Sequence, residues 1–181
     1  MNSFSTGSPV PATDRRRFIA GLALLAAWPF ARAQGRGMTA VPAHQQAPAL
    51  RLNDDDGKAI DLAQYRGKVV LVNFWASWCP PCRKEFPSLG RVRKLFKPSE
   101  FEVLAVNVGE EPDFAFSFTG ITDFPVLFDR DSKAMAAWGV RGLPTTFLVD
   151  RQGRVAYRAA GGREFDDPDI VSVIRQLLGA L

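Results

Sequence analysis

Apolar residues fall along this chain in two spacings. Val69 to Trp75 is a run of apolar and β-branched residues, and Phe101 to Val108 is a second. Runs of this kind read as strands covered on both faces. Between them Phe86, Leu89, Val92, Leu95 and Phe96 recur at three- and four-residue steps, as on the inner face of a helix. That helix is expected to run to about Lys97, where Pro98 stops it, and Pro87 inside it should introduce a kink. Strand, helix and strand, with both strands buried, predict a right-handed parallel crossover.

Shorter elements flank this unit. Leu50–Asn53 and Lys58–Asp61 bracket Asp54-Asp55-Asp56-Gly57, a turn with glycine where φ must be positive, and predict a hairpin. The first central strand is expected from Gly67. Glu110 to Phe124 is the least legible stretch: Pro112 can open a helix, whereas Phe114, Phe116 and Phe118 alternate with period two. A short, irregular helix is expected there, its phenylalanines either packed in the core or forming an apolar surface for a partner. Pro125–Phe128 predicts a strand, and Ser132–Trp138 a helix closed by Gly139. Thr145–Val149 and Arg154–Ala160 predict a hairpin across Asp150-Arg151-Gln152-Gly153. Asp167-Pro168 reads as a helix cap followed by a proline at the first helical position. Ile170, Val173, Ile174, Leu177 and Leu178 then form the inner face of the last helix. No repeat is visible, and 181 residues suffice for one domain with its own core.

The first 33 residues read as an address. Arg15-Arg16-Arg17 precede an apolar run from Ile19 to Phe30, and Ala31-Arg32-Ala33 offers a cleavage site. This is the order of a secretory signal. The paired arginines suggest the twin-arginine route, with Sec as the alternative. The run spans about 12 residues, short of the roughly 20 that cross a bilayer, so cleavage is expected and an uncleaved anchor is the alternative. The mature chain then begins near Gln34, in an oxidising compartment, the periplasm. Residues 34–47 read as a flexible lead-in, and 48–181 as the folded domain.

Composition changes this picture little. Hydrophobic residues make up 46% and charged residues 23%, as in ordinary globular proteins. The net charge of +4 is concentrated in the leader. Without residues 1–33, which hold four arginines and one aspartate, 19 basic and 18 acidic residues remain. That argues against a nucleic-acid surface, which needs a clustered excess of Lys and Arg.

The two cysteines change it more. Cys79 and Cys82 sit as C-P-P-C at the junction between the first central strand and its helix. Backbone N–H groups on the first turn lack intrahelical partners and favour a negative charge, so the site favours thiolate. Both sulfurs face one side of a single turn. Cys79, at the helix start, is the candidate nucleophile; Cys82, one turn further in, is the candidate resolving thiol. The other use of such a pair is half of a zinc site. Zinc needs about four ligands, and the single histidine, His44, lies in the lead-in. No metal and no cofactor beyond the cysteine pair itself are expected.

Val69 to Cys82 followed by Arg83-Lys84-Glu85-Phe86-Pro87 resembles the TlpA-like branch of the thioredoxin fold, the group that includes ResA-type periplasmic reductases. Gly139 to Asp150, with Leu143-Pro144-Thr145-Thr146-Phe147 inside it, matches the second signature of that group, and Asp54 to Gly67 its extra N-terminal hairpin. The resemblance covers about residues 48–180. It implies an α/β thioredoxin fold: a central mixed sheet flanked by helices, with an added N-terminal hairpin. It further implies that Pro144 is cis and faces the cysteines, with backbone near Leu143 pairing with an extended client peptide. Thioredoxin has a buried aspartate six residues before its first cysteine; here that position is Asn73. ResA-like proteins instead carry a glutamate three residues after the second cysteine, and Glu85 stands there. Glu85 is therefore expected to be partly buried, with a raised pKa, and to accept the proton of Cys82; a surface glutamate paired with a nearby Arg or Lys is the other reading. Trp78 is expected to shield the sulfurs and join the docking surface, with Phe74 and Trp75 in the core. Pro80 and Pro81 are expected to bias the reduction potential.

The function implied is that of a periplasmic protein-disulfide reductase, re-reduced by a membrane thiol electron donor and expected to be monomeric. Clients would be apocytochrome c cysteines or the thiols of copper-site proteins. A copper-binding chaperone on the same fold is the alternative, but such proteins use C-x-x-x-C and a downstream histidine, and neither is present. A DsbA-type oxidase needs a helical insertion for which there is no room.

Overall fold

The computed structural model describes residues 37–42 and 45–179. The leader and His44 lie outside the described residues. The strands are β1 (Thr39–Ala40), β2 (Arg51–Asn53), β3 (Ala59–Asp61), β4 (Val69–Trp75), β5 (Phe101–Val108), β6 (Val126–Asp129), β7 (Thr145–Val149) and β8 (Val155–Ala160). The α-helices are α1 (Pro80–Lys94), α2 (Pro112–Thr119), α3 (Lys133–Ala137) and α4 (Pro168–Gly179).

Six strands make one mixed sheet in the order β1-β8-β7-β4-β5-β6, and β2 and β3 pair separately as the hairpin. The crossover through α1 makes β4 and β5 parallel, and β6 adds in parallel beyond β5. β7 lies antiparallel on the other side of β4. Alternation along each central strand divides the core. Val69, Leu71 and Trp75 of β4, with Phe101, Val103 and Ala105 of β5, pack with α1 and α4. Val70, Val72 and Phe74, with Leu104, Val106 and Val108, pack with the hairpin and Trp138. The sheet is thus covered on both faces, as its unbroken apolar runs require.

Three expectations need correction, and one alternative is divided. The first central strand begins at Val69, not Gly67, because Gly67 turns the chain at φ +90°. α1 stops at Lys94, three residues early: the Leu95 N–H turns back to the Val92 carbonyl, and Lys97 O accepts from Glu100 and Phe101 instead. Leu95 accordingly leaves the inner face and is half exposed. The lead-in is partly structured. Thr39 and Ala40 pair with Arg158 and Tyr157 of β8, and Val155 N–H donates to Gln45 O at 2.8 Å. Of the two readings of the α2 phenylalanines each holds in part: Phe114 and Phe116 are exposed, 67% and 50%, and Phe118 packs inward. Phe118 stacks near Trp75 and Phe86, at 5.9 and 5.7 Å between ring centroids.

Candidate active site

Cys79 and Cys82 are joined as a disulfide, their Cα atoms 5.3 Å apart. Cys79 is the N-cap of α1, and its Sγ accepts a hydrogen bond from the Cys82 N–H at 3.4 Å. Cys82 is wholly buried and Cys79 nearly so. The donor set is smaller than a free helix N-terminus offers. Pro80 and Pro81 occupy the first two helical positions and carry no N–H. The Arg83 N–H goes to the Cys79 carbonyl. One backbone donor therefore serves the sulfur. The approach to the motif is pinned by Glu110, whose carboxylate accepts from the Ser77 N–H at 2.7 Å, from Ser77 Oγ and from Asn107 Nδ2 at 2.6 Å.

Glu85 lies inside the protein, only 2% exposed, so it is not a surface partner for Arg or Lys. Cys82, Glu85, Phe86 and Leu89 share the buried stripe of α1. Opposite them, the β4 position that would continue the apolar alternation is Asn73. Its Nδ2 donates to Glu85 Oε1 at 2.7 Å and to Thr146 Oγ1 at 2.8 Å. Thr146 is the residue paired with Asn73 across β4 and β7. The second carboxylate oxygen, Oε2, accepts the backbone N–H of Arg163 at 2.9 Å. Burial pushes the Glu85 carboxyl up to about 7, against the lowering effect of the bonds from Asn73 and Arg163. Glu85 also borders a cavity of about 330 Å³ with Pro81, Lys84, Gly162, Arg163 and Glu164, which gives water a place beside it. Among the described residues no three His, Cys, Asp or Glu side chains converge as metal ligands.

The Leu143–Pro144 bond is cis. Pro144 is buried, its carbonyl accepts the Gly161 N–H at 2.9 Å, and Leu143 packs against the core on both sheet faces, one of which holds the two cysteines. Trp78 is 67% exposed, whereas Phe74 and Trp75 are buried. Asn73, Thr146 and the Arg163 N–H were not among the sequence-derived candidates. The sequence marks Asn73 twice, as the place of thioredoxin's buried aspartate and as a lone amide in an apolar strand.

Residues 42–174 match the family model described as Redoxin. The chain is 40% identical over 128 residues to the thiol-disulfide oxidoreductase ResA of Bacillus subtilis (strain 168), covering 69% of this chain and 71% of that protein. It is 43% identical over 121 residues to the ResA of Geobacillus thermodenitrificans, covering 65% and 68%. Among solved structures, a thiol:disulfide interchange protein of the thioredoxin family from Chlorobium tepidum superposes with a TM-score of 0.65 at 30% identity. It covers 77% of this chain and all of that one. The exposed lipoprotein thioredoxin Etrx1 of Streptococcus pneumoniae gives 0.61 at 32% identity, covering 71% and 98%. Fold and site thus define a thiol-disulfide oxidoreductase built on the thioredoxin fold. The chain belongs to the redoxin family and, within it, groups with the ResA-type oxidoreductases.

Proposed function

We propose that the chain works outside the cytosol as a reductant of protein disulfides. The observation that carries this reading is the buried Glu85 carboxyl, held on the Cys82 stripe with its pKa near neutrality. In the dithiol form, the Cys79 thiolate attacks a client disulfide. A bond forms between Cys79 Sγ and one client sulfur, and the other client sulfur leaves as thiolate. Cys82 then gives its proton to Glu85 and attacks Cys79 Sγ. The second client sulfur leaves and takes up a proton, and the Cys79–Cys82 disulfide remains. Two electrons have passed to the client. A membrane thiol donor restores the dithiol by the same chemistry in reverse. Trp78, Leu143 and Pro144 form the surface against which the client strand lies, and Pro80 and Pro81 set the potential.

Export is supported by the leader pattern in residues 1–33 and by the likeness to a lipoprotein named as exposed. Among the described residues no helix is long and apolar enough to cross a membrane. Apocytochrome c cysteines and copper-site thiols are the clients that the sequence resemblance implies. The reduction potential tests the direction of transfer. A value near about −270 mV supports a reductant, and one near about −120 mV overturns it in favour of an oxidant. Capture of clients on a Cys82→Ala variant, which stalls at the mixed disulfide, identifies the substrate.

A further inference from the structure

The hydrogen-bond partners of Glu85 cannot relieve it of a proton. Asn73 Nδ2 donates to Oε1, and the Arg163 N–H donates to Oε2. Both are donors, and neither group takes a proton from a carboxyl. A proton that arrives from Cys82 therefore has two ways to go, back to sulfur or out to water. The sulfur side is closed: Cys82 is wholly buried and Cys79 is 4% exposed.

The other side is open. The cavity of about 330 Å³ that Glu85 borders has room for several waters. Pro81, Lys84, Gly162 and Glu164 at its rim are exposed, whereas Glu85 is buried. Of the charged groups there, Lys84 and Arg163 are cations, and Glu164 is a carboxylate already bonded to Arg91 at 2.5 Å. None of Trp78, Leu143 and Pro144 borders this cavity, so the client surface and the cavity are made by different residues.

Gly162 decides whether the carboxylate meets that space. Its neighbour Gly161 has φ +84°, but Gly162 itself does not lie in the left-handed region, so its backbone does not call for glycine. A Cβ would fit, 3.4 Å from the Pro81 carbonyl oxygen, 3.6 Å from Pro81 Cβ and 3.8 Å from Glu85 Oε2. What a side chain would remove is the access of water to Oε2, whose second lone pair is not used by Arg163.

We propose that the cavity at Gly162 is the exit for the proton of the resolving step. The Cys82 S–H bond breaks and its proton goes to Oε2 of Glu85. The thiolate so formed attacks Cys79 Sγ, and Glu85 passes the proton to water in the cavity. The carboxylate is restored, and one proton reaches solvent for each disulfide formed. Gly162 is thus a positioning residue: it touches no sulfur and acts by admitting water to Glu85. This rests on the proton-acceptor role given to Glu85 above and adds the path by which that group is reset.

Dithiobis(nitrobenzoate) separates the two thiol steps. One aromatic thiolate is released when Cys79 attacks, and a second when Cys82 resolves the adduct. The ratio of the second rate to the first is followed from about pH 5 to pH 9 in the reduced wild type and in Gly162→Val, Gly162→Thr and Glu85→Gln. Val and Thr have the same shape, and only Thr carries a hydroxyl that can stand in for water. Gly162→Val is expected to lower the ratio at pH 7 by about tenfold or more. The midpoint of its rise should move up by about one pH unit, because the ionised carboxyl loses a donor. Gly162→Thr should stay within about threefold of the wild type. An undiminished ratio in Gly162→Val, or equal losses in the Val and Thr variants, overturns the exit alone. If Glu85→Gln keeps the wild-type ratio and pH profile, the acceptor role falls and the exit with it.

Discussion

Glu85 sits where a carboxylate is costly, and its two hydrogen bonds offset only part of the lost hydration. Its folded-state pKa is about 7 against an ordinary 4.5, so the native state binds more protons than the unfolded state between those values. The stability this contributes is full below about pH 4.5 and is lost as pH rises through about 7. The loss amounts to about 3 kcal/mol. Urea denaturation of the wild type and of Glu85→Gln at pH 4.5 and pH 8 reads it directly. The stability difference between the two should move by about 3 kcal/mol in favour of the variant at the higher pH; a difference that does not change with pH would remove Glu85 as the titrating group. The prolines give a second prediction. Pro80→Ala with Pro81→Ala restores two N–H donors beside Cys79, each worth about 0.3–1 kcal/mol to a thiolate. The reduced form gains, so the potential should rise by about 15–40 mV, measured against a glutathione couple. Among these residues, Glu85 was legible because ResA-like proteins carry a glutamate three residues after the second cysteine, one helical turn from Cys82. The bond from Asn73 was not, because it needs the register that sets Asn73 opposite Thr146, 73 residues away. The Arg163 contact is made by a backbone N–H and leaves no trace in side-chain pattern.

Among the elements, α1 carries the site, and its far end is tied to β5 by a two-pronged ion pair. Arg93 Nε and Nη2 donate to the two oxygens of Glu102, at 2.5 and 3.3 Å, with both side chains largely buried. Arg93→Ala leaves the Glu102 charge buried without that partner, and chemical denaturation should show a loss of about 3 kcal/mol. The exposed contacts of Arg91 with Glu164 and Asp166 should be worth far less, below about 1 kcal/mol each. The strands and α1 were readable because their burial repeats with the period of the backbone. α2 was not. Residues two apart on a helix point about 200° away from each other, so Phe116 faces away from Phe118; Phe114 is only about 40° from Phe118 in direction but lies in the first turn and is exposed, and Ala115 and Phe118 make the inward face. The end of α1 was misplaced because Pro98 marks where a helix must already have stopped, not where it does.

At the scale of the whole molecule, the sheet is closed along β8 by the segment read from sequence as a flexible lead-in. Two residues of strand hold no periodicity, and the contacts are backbone to backbone: Val41 N–H to Ala156 O, Ala47 N–H to Gly153 O, and Val155 N–H to Gln45 O. A polypeptide starting at Pro48 loses all three. Hydrogen exchange should then speed up at the Val155 amide by about tenfold or more, while β4 amides, held between two neighbouring strands, stay slow. Unchanged protection at Val155 would mean that the lead-in does not cover β8 in solution.

The Arg163 guanidinium also reaches back to this opening segment. It donates to Gly37 O at 3.4 Å, and to the carbonyls of Ala160, Gly161 and Gly162, in the residue whose own N–H holds Glu85. Where an expression plasmid starts the protein is therefore a chemical choice as well as a practical one. Preparations trimmed on either side of Gly37 should disagree about the acidity at which thiol exchange is fastest, although every residue that touches sulfur is the same in both.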